Sequence, residues 1–418
     1  MPVSDSTLLE WRNAQSEPVQ SVNRPGCPSR VRSKSHLHVE ASGLYDSNAL
    51  RNDLILGLWR GDVLSEDLRR STQDQLKGNN RAGYALDFRA TYTWGDSLFG
   101  NRSLKPVISI AHHSVLGLRF SDDLYNLTFF GNTPYENRTA SLGGTAFSQI
   151  TYQTFGFGFQ DKQSNSFLRL ELVNGQRGSS ATLRQADLFT ATDGRYLQLD
   201  FDGSYLRSDT SQGGFGTSSG LGLAISAAVE KSVRVLGTDA KLLFGVTDLG
   251  FVVWNGDSER LINNSIINYD GITVQNVFDL DGVVVDQAAL QDTLGLSYER
   301  GRYTQVLPTT AQVRFRTGRS LKKQVLYPGS YLWEVSITQR NLPGFVPHAM
   351  ITRSFLGSRK FKPEVSASYG GFGGFRVGLG AQWLMKNGAI MLRAPNVLGF
   401  VSGSASGAGV VLSAELSL

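Results

Sequence analysis

His112 and His113 are the first residues in this chain that could do chemistry, and they are adjacent. Neighbours in an extended strand point to opposite faces, so the two imidazoles cannot share one metal or one substrate. One lumen or interfacial histidine beside one boundary residue is the expectation. The stretch DLDG at Asp279 to Gly282 resembles the opening of a calcium loop, but the spaced oxygens and closing glutamate of an EF-hand are missing, which predicts a turn. The glycines of YGGFGGFRVGLG, from Tyr369, have G-x-G spacing yet open no helix after a buried strand. They are expected to relieve crowding or kink a strand rather than to cradle phosphate. Asn101, Asn126, Asn137 and Asn263 each begin N-x-S/T and read as chance matches. No G-x-S-x-G elbow occurs, and nothing nominates a Ser-His-Asp set. No catalytic, cofactor-binding or metal-binding residue is therefore expected, and no cofactor.

Charged residues carry more information. Asp87 with Asp200 and Asp202 could act as paired carboxylates, but Arg89 and Arg169 share their face, with Glu171, Arg314, Arg316, Arg376 and Arg393 on similar faces elsewhere. Unpaired charge in a narrow, partly desolvated interior is costly, so mutual compensation is the better expectation for these ten residues. They are the candidate lumen-facing polar set.

The faces come from strands. GYALDFRATYTW, from Gly83, puts Tyr84, Leu86, Phe88, Ala90, Tyr92 and Trp94 on one side, and Asp87, Arg89, Thr91 and Thr93 with Ala85 on the other. Twelve alternating residues exceed the usual soluble strand of about five or six. A tilted bilayer crossing needs about 9 to 11, apolar towards lipid, with aromatic residues at both interfaces. The period recurs at 168–172, 197–205, 221–230, 375–383 and 410–418, and further strands are predicted near 107–120, 124–130, 147–160, 181–190, 240–254, 309–316, 330–338, 346–355, 361–369 and 388–394. Leu199 and Leu223 fall on the predicted lipid side. The last strand runs to Leu418, where outer-membrane barrels usually end on an aromatic residue. Connectors such as SDTSQGGFGTSSG leave no room for crossover helices. The expected fold is all-β: a transmembrane up-and-down antiparallel β-barrel of about 14 strands, with a short helical N-terminal segment.

Composition agrees. Only 18% of residues are charged, against about a quarter in ordinary soluble domains, while 46 Gly, 23 Phe and 14 Tyr mark a glycine- and aromatic-rich β protein. The net charge of +5 is spread without a basic block, which excludes nucleic acid as an expected partner. Cys27 is the only cysteine, so an internal disulfide or a paired-thiolate zinc site is excluded. No run of 18 apolar residues offers a spanning helix. MPVSDSTLLEWRNAQSEPVQ lacks an apolar signal core, which a membrane barrel would need, and a shifted or trimmed start is the expectation.

Residues 1–35 are polar and aperiodic, a disordered or non-native segment; 36–418 form the barrel. Within it, 47–77 carry apolar residues at helical spacing, with Ser65 before Glu66 and Asp67 as a helix start, and predict a plug or cap. Residues 256–304 interrupt the strand rhythm and predict a folded loop excursion, helical in part.

The stretches LYDSNALRNDLILGLWRGDVLSEDLRR and VTDLGFVVWN (Val246 to Asn255), with DSLFGNRS, SDDLYNLTFFGN, QADLFT and LGLSYERGRYTQVLPT, resemble an uncharacterised family of outer-membrane barrel proteins. That family is a domain of unknown function, known mainly from the Gram-negative phylum that carries the type IX secretion system. The resemblance spans about residues 40–418 and implies fold and location, not activity. Asp248, Gly250 and Trp254 are the candidate motif residues: Asp248 is expected to face polar surroundings in a wall strand, and Gly250 to allow close packing or a bend. The function expected is a non-enzymatic outer-membrane barrel, either a solute channel or carrier or an accessory component of envelope secretion and surface assembly. An outer-membrane hydrolase and a soluble lectin-like β protein are the alternatives. Expected partners are outer-membrane lipid and envelope or secretion-system proteins, with oligomeric state open.

Overall fold

The computed structural model describes residues 35–95, 103–209, 216–235, 238–269, 299–317, 333–355 and 360–418. Expectations for residues 1–34, the DLDG turn and most of the 256–304 excursion lie outside them. In chain order the first half comprises β1 (His36–Ser47), α1 (Asn52–Arg60), α2 (Glu66–Gln73), β2 (Asn80–Thr93), β3 (Leu104–Phe120), α3 (Asp122–Phe130), β4 (Arg138–Ser141), β5 (Ala146–Asp161), β6 (Phe167–Thr190), β7 (Leu197–Arg207), β8 (Gly220–Val235) and β9 (Thr238–Trp254). There follow β10 (Glu259–Tyr269), β11 (Glu299–Arg300), β12 (Thr304–Val306), β13 (Thr310–Thr317), β14 (Trp333–Arg340), β15 (Val346–Ser354), β16 (Phe361–Gly371), β17 (Arg376–Met385), β18 (Gly388–Ala394), α4 (Leu398–Val401) and β19 (Gly407–Ser417).

Fourteen of these strands make the wall. Each pairs antiparallel with the next in the order β1, β2, β3, β5, β6, β8, β9, β13, β14, β15, β16, β17, β18 and β19. The circle closes where β19 returns to β1, with His36 opposite Ser417 and Asp46 opposite Gly407. Among the described residues closure gives every wall strand a partner on both sides, the condition for crossing a bilayer with strands. No helix of the described residues is long and apolar enough to cross a membrane. The rim holding His36 and Ser417 is called the terminal rim, and the opposite one the helical rim.

Alternation sorts side chains between lipid and lumen. Phe157, Leu170, Ile225 and Leu249 form one cross-strand row, and each exposes between 44% and 63% of its surface on the outer face. Such a contiguous apolar surface would be an aggregation hazard in water and is the ordinary solvent contact of a membrane wall. The exposed Trp333 and Trp383 mark the terminal rim, where Arg353 lies 4.6 Å from the Trp333 ring and Phe361 packs 5.2 Å from Trp383. The protein is an all-β transmembrane up-and-down barrel.

Several elements depart from expectation. Residues 124–130 form α3 rather than a strand, because Ser121 Oγ accepts from Leu124 N at 3.1 Å and Asp122 and Asp123 favour the helix N-terminus. Residues 181–190 are the far half of β6, not a separate strand. β7 leaves the wall: it pairs with that far half of β6 and with β10, so Leu199 is not in the lipid-facing band. Its alternation is identical to that of a wall strand, and only its partners distinguish it. β1 formed where no strand was expected, since its outer positions Ala41 and Gly43 are too small to register as an apolar face.

At the helical rim α1, α2 and α3 pack together around Leu54, Phe120 and Tyr125. Ser65 caps α2 by accepting from Leu68 N at 3.3 Å, and Tyr125 donates to Arg69 O at 2.9 Å. These helices sit beside the ends of β2 and β3.

Candidate functional site in the barrel lumen

Inward positions on β2, β3, β6, β8 and β9 converge on one ionic layer. Arg89 donates to Glu171 Oε1 at 3.2 Å and to Asp248 Oδ1 at 3.2 Å; Arg169 Nε lies 3.3 Å from the same Glu171 oxygen. Glu171, buried to 1% exposure, also accepts from Ser226 Oγ at 2.9 Å. His113 Nδ1 is 2.6 Å from Asp87 Oδ1, its ring stacks on Tyr152 at 4.8 Å, and Arg340 approaches Asp87 Oδ2 at 3.6 Å. Three carboxylates, Asp87, Glu171 and Asp248, thus meet three guanidinium groups, Arg89, Arg169 and Arg340. Balanced pairing is what permits so many charges in an enclosed space.

The Asp87 to Arg340 contact fixes the shape of this section. β2 is second and β14 ninth in a ring of fourteen, so the two strands lie on opposite walls. A circular fourteen-strand barrel, with strands about 4.8 Å apart and tilted about 40°, would hold opposite backbones roughly 28 Å apart. Arginine and aspartate side chains together reach only about 10 Å from ordinary bond lengths. The end of β14 therefore comes far closer to β2 than a round wall would allow, and the contact crosses the lumen.

Above this layer, towards the helical rim, lies an apolar cover. Tyr152, Val252, Trp254, Leu307, Leu342 and Phe372 form one buried cluster with Tyr303 and Phe345 against it. Leu342 comes from the β14–β15 turn and Phe372 from the β16–β17 turn, which fold inward over β2 and β3. A Cβ on Gly83 would stand 2.2 Å from the Phe372 ring, so only glycine lets this turn seat. Arg81 Nε fixes it by donating to Phe372 O at 3.0 Å.

The VTDLGFVVWN stretch has a distinct role at each motif position. Asp248 adopts a left-handed backbone, φ 56°, in a bulge opposite Ser226, which turns its carboxylate onto Arg89. A Cβ on Gly250 would meet Leu223 O at 2.1 Å, so the close approach of β8 requires glycine. Trp254 is fully buried in the cover, donating to Gln305 Oε1 at 3.0 Å. Opposite the bulge, the wall breaks between β12 and β13, where Thr309 Oγ1 donates to Asp248 O at 3.1 Å and Leu307 turns inward.

A second ionic layer lies nearer the terminal rim. Arg316 donates to Glu334 at 2.8 Å with Arg314 Nε 3.7 Å away, and Arg393 donates to Glu364 at 2.8 Å. Arg376 instead pins the helical rim, donating to Asp46 Oδ1 at 2.7 Å and to Ser47 O at 2.8 Å. Asp200 and Asp202 are corrections to the lumen-facing set: both sit on β7, outside the wall, where Asp202 pairs with Arg184 and Asp200 accepts from Gln185 at 2.9 Å. Sequence reasoning missed Arg340, Ser226, Glu334 and Glu364 and gave His113 no partner. His113 and Asp87 are directly opposed in the β2–β3 register, a signal that appears only once the two strands are aligned. Among the described residues no group of three or more His, Cys, Asp or Glu is placed to hold a metal ion.

A closed antiparallel wall with an apolar outer band and an ion-paired interior defines the class of transmembrane β-barrel proteins. Within it, the chain belongs to a family of unknown function, DUF5723, whose model matches residues 99–388. None of the curated proteins matches it. Among solved structures it is similar to the Ralstonia pickettii toluene transporter TbuX, with 8% identity and TM-score 0.40, covering 92% of this chain and 90% of that one. A Pseudomonas aeruginosa FadL homologue shows 11% identity and TM-score 0.37 over 92% and 89%. The translocator domain of the Neisseria meningitidis autotransporter NalP shows 8% identity and TM-score 0.31 over 99% and 96%.

Proposed function

We propose that this chain is a non-enzymatic outer-membrane barrel acting as a gated carrier for small amphipathic solutes, with the helical rim outward and the lumen closed at rest. The observation that carries this reading is the Asp87 to Arg340 contact between opposed walls, 3.6 Å across a section that a round barrel would leave open. The cover supports a gate rather than a permanent plug. Leu342 and Phe372 sit on hairpin turns, which can swing without breaking a wall ladder. A solute entering from the helical rim would meet apolar side chains first and paired ions next, an order suited to molecules with both characters.

Planar-bilayer recording tests this. The intact protein should show little steady conductance, and the double substitution Leu342→Ala with Phe372→Ala should produce frequent openings. A large steady conductance from the unaltered chain would overturn the closed lumen. An accessory role in envelope secretion or surface assembly is favoured by a separate observation: Trp59 is 83% exposed and Val63 fully exposed beside α1 at the helical rim. Co-purification of envelope proteins in mild detergent, lost on Trp59→Ser with Val63→Ser, would favour that role.

A further inference from the structure

The outer wall carries a polar interruption where lipid contact predicts none. In register across five strands run Phe88, His112, Gln153, Asn174 and Leu221, on β2, β3, β5, β6 and β8. All five belong to the outward phase, since their inward neighbours Asp87, His113, Thr154, Val173 and Gly222 alternate with them. The next row towards the terminal rim, Ile110, Phe155 and Leu172, is apolar and between 52% and 63% exposed. The next row towards the helical rim begins Leu86, Ser114 and Thr151, and Ser114 and Thr151 share a hydrogen bond of 3.0 Å. The five-residue row therefore puts three polar side chains on a face where the flanking rows still hold the exposed Leu86, Ile110, Phe155 and Leu172.

Here the wall is concave. Phe88 and Leu221 stand at the two ends, the shorter polar side chains lie between them, and a cavity of about 480 Å³ results, lined also by Ile110, Phe155 and Leu172. That volume is within the range of small-molecule sites. Asn174 Nδ2 is committed to Thr217 O at 3.1 Å and to Gln153 Oε1 at 3.4 Å. Its carbonyl oxygen, Oδ1, is buried and has no hydrogen-bond partner. A buried acceptor without a donor is costly, and in lipid no bulk water relieves it.

We propose that this trough is a binding site for a single-chain acyl amphiphile of the surrounding leaflet that carries a hydrogen-bond donor, a hydroxyl or amide N–H, next to its chain. The chain lies over Ile110, Phe155 and Leu172, continuous with the lipid-facing band, and the donor reaches the Asn174 carboxamide at the trough floor. Lipid is the occupant because the site opens onto the lipid face rather than onto the lumen. The inference rests on the membrane orientation of the wall and is independent of what the lumen carries.

Native mass spectrometry of the full chain in detergent tests it, with N-palmitoylethanolamine as the donor-bearing probe and methyl palmitate as its donor-free counterpart. One ethanolamide should be retained per barrel, saturably, and methyl palmitate roughly five- to tenfold less, the worth of one hydrogen bond. Asn174→Leu should bring the two probes to equal retention, and Gln153→Trp, which fills the trough, should abolish both. Leu379→Trp, on the far side of the outer face, should leave retention unchanged. Heat-modifiable electrophoretic mobility confirms that each variant folds, and flotation with vesicles checks the membrane reading separately. Equal retention of the two probes by the unaltered chain, undiminished ethanolamide binding by Asn174→Leu, or retention that rises without saturation would each overturn the site.

Discussion

Placing arginine at Leu170 and at Leu199 separates the wall from the sheet beyond it. Both leucines sit in alternating sequence, and both read as lipid-facing from that alternation alone. In the fold Leu170 is 63% exposed on the outer face, flanked in register by Phe157 and Ile225, with Leu168 and Leu172 on the same strand. An arginine there must leave its charge in hydrocarbon or thin the bilayer around it, which costs about 2 to 4 kcal/mol near the midplane. Leu199 lies half-buried on β7, paired with Leu188 outside the wall. An arginine there forfeits at most about half a leucine's burial, on the order of 1 kcal/mol, and its head group can extend into water. The difference is at least about 1 kcal/mol, a five- to tenfold change in the ratio of folded to unfolded protein. Urea unfolding of both variants in phospholipid vesicles, followed by tryptophan fluorescence, measures it. Equal costs, or a larger one at Leu199, would refute the division between wall and extension.

Removing the Asp248 carboxylate with Asp248→Ala leaves Arg89 facing Glu171 alone and puts a Cβ-bearing residue without a polar side chain in a left-handed conformation; about 3 to 5 kcal/mol should be lost in the same assay. Asp248→Asn, which tolerates that backbone, should recover roughly 1 kcal/mol of it. Trp254→Ala should cost about 3 to 5 kcal/mol through the cavity left in the cover, read as a lowered urea midpoint. Tyr135, in the β3–β5 connection, has its hydroxyl pushed up to about 12, first by burial and then by donating to Asp123 at 2.6 Å. A raised folded value means the stabilisation is complete below the ordinary tyrosine value of 10.0 and is lost as pH climbs towards 12, so in a phenolate absorbance titration one of the late-ionising tyrosines should shift downward on Asp123→Ala.

Period-two patterning made the faces legible, because a strand presents alternate residues to two different solvents. Asp87, Arg89, Arg169, Glu171, Arg314, Arg316 and Arg393, which the spacing puts on the polar face, stand in the two ion-paired layers. Pairing between strands was not legible. Nothing local to 197–205 says that its neighbours are the far half of β6 and β10, and so Asp200 and Asp202 were placed on the wrong sheet surface. Nor could alternation reveal the Asp248 bulge, which shifts the register of β8 against β9 between Ile225 and Ala227. Arg340 stands at the last position of β14, where a strand and its turn look alike, yet it supplies the contact across the lumen.

On the gated-carrier proposal, the two layers across the lumen should respond to salt in opposite directions, and this identifies which of them limits passage. The layer built on Asp87, Arg89 and Arg340 is electrostatic, and the parts of it that water reaches are screened as the Debye length falls from about 10 Å at 0.1 M to about 3 Å at 1 M. The cover of Trp254, Leu307, Leu342 and Phe372 is apolar and tightens in sulfate, which is excluded from exposed apolar surface. If the cover is the gate, sodium sulfate should lengthen the closed times of the intact chain, while sodium chloride from 0.1 to 1 M changes opening frequency little. The Leu342→Ala with Phe372→Ala variant should lose the sulfate response and gain a chloride response, because only the ionic layer then remains to close it. Single-channel recording reads both. Chloride-driven opening in the intact chain would show that the ionic layer, not the cover, holds the lumen shut.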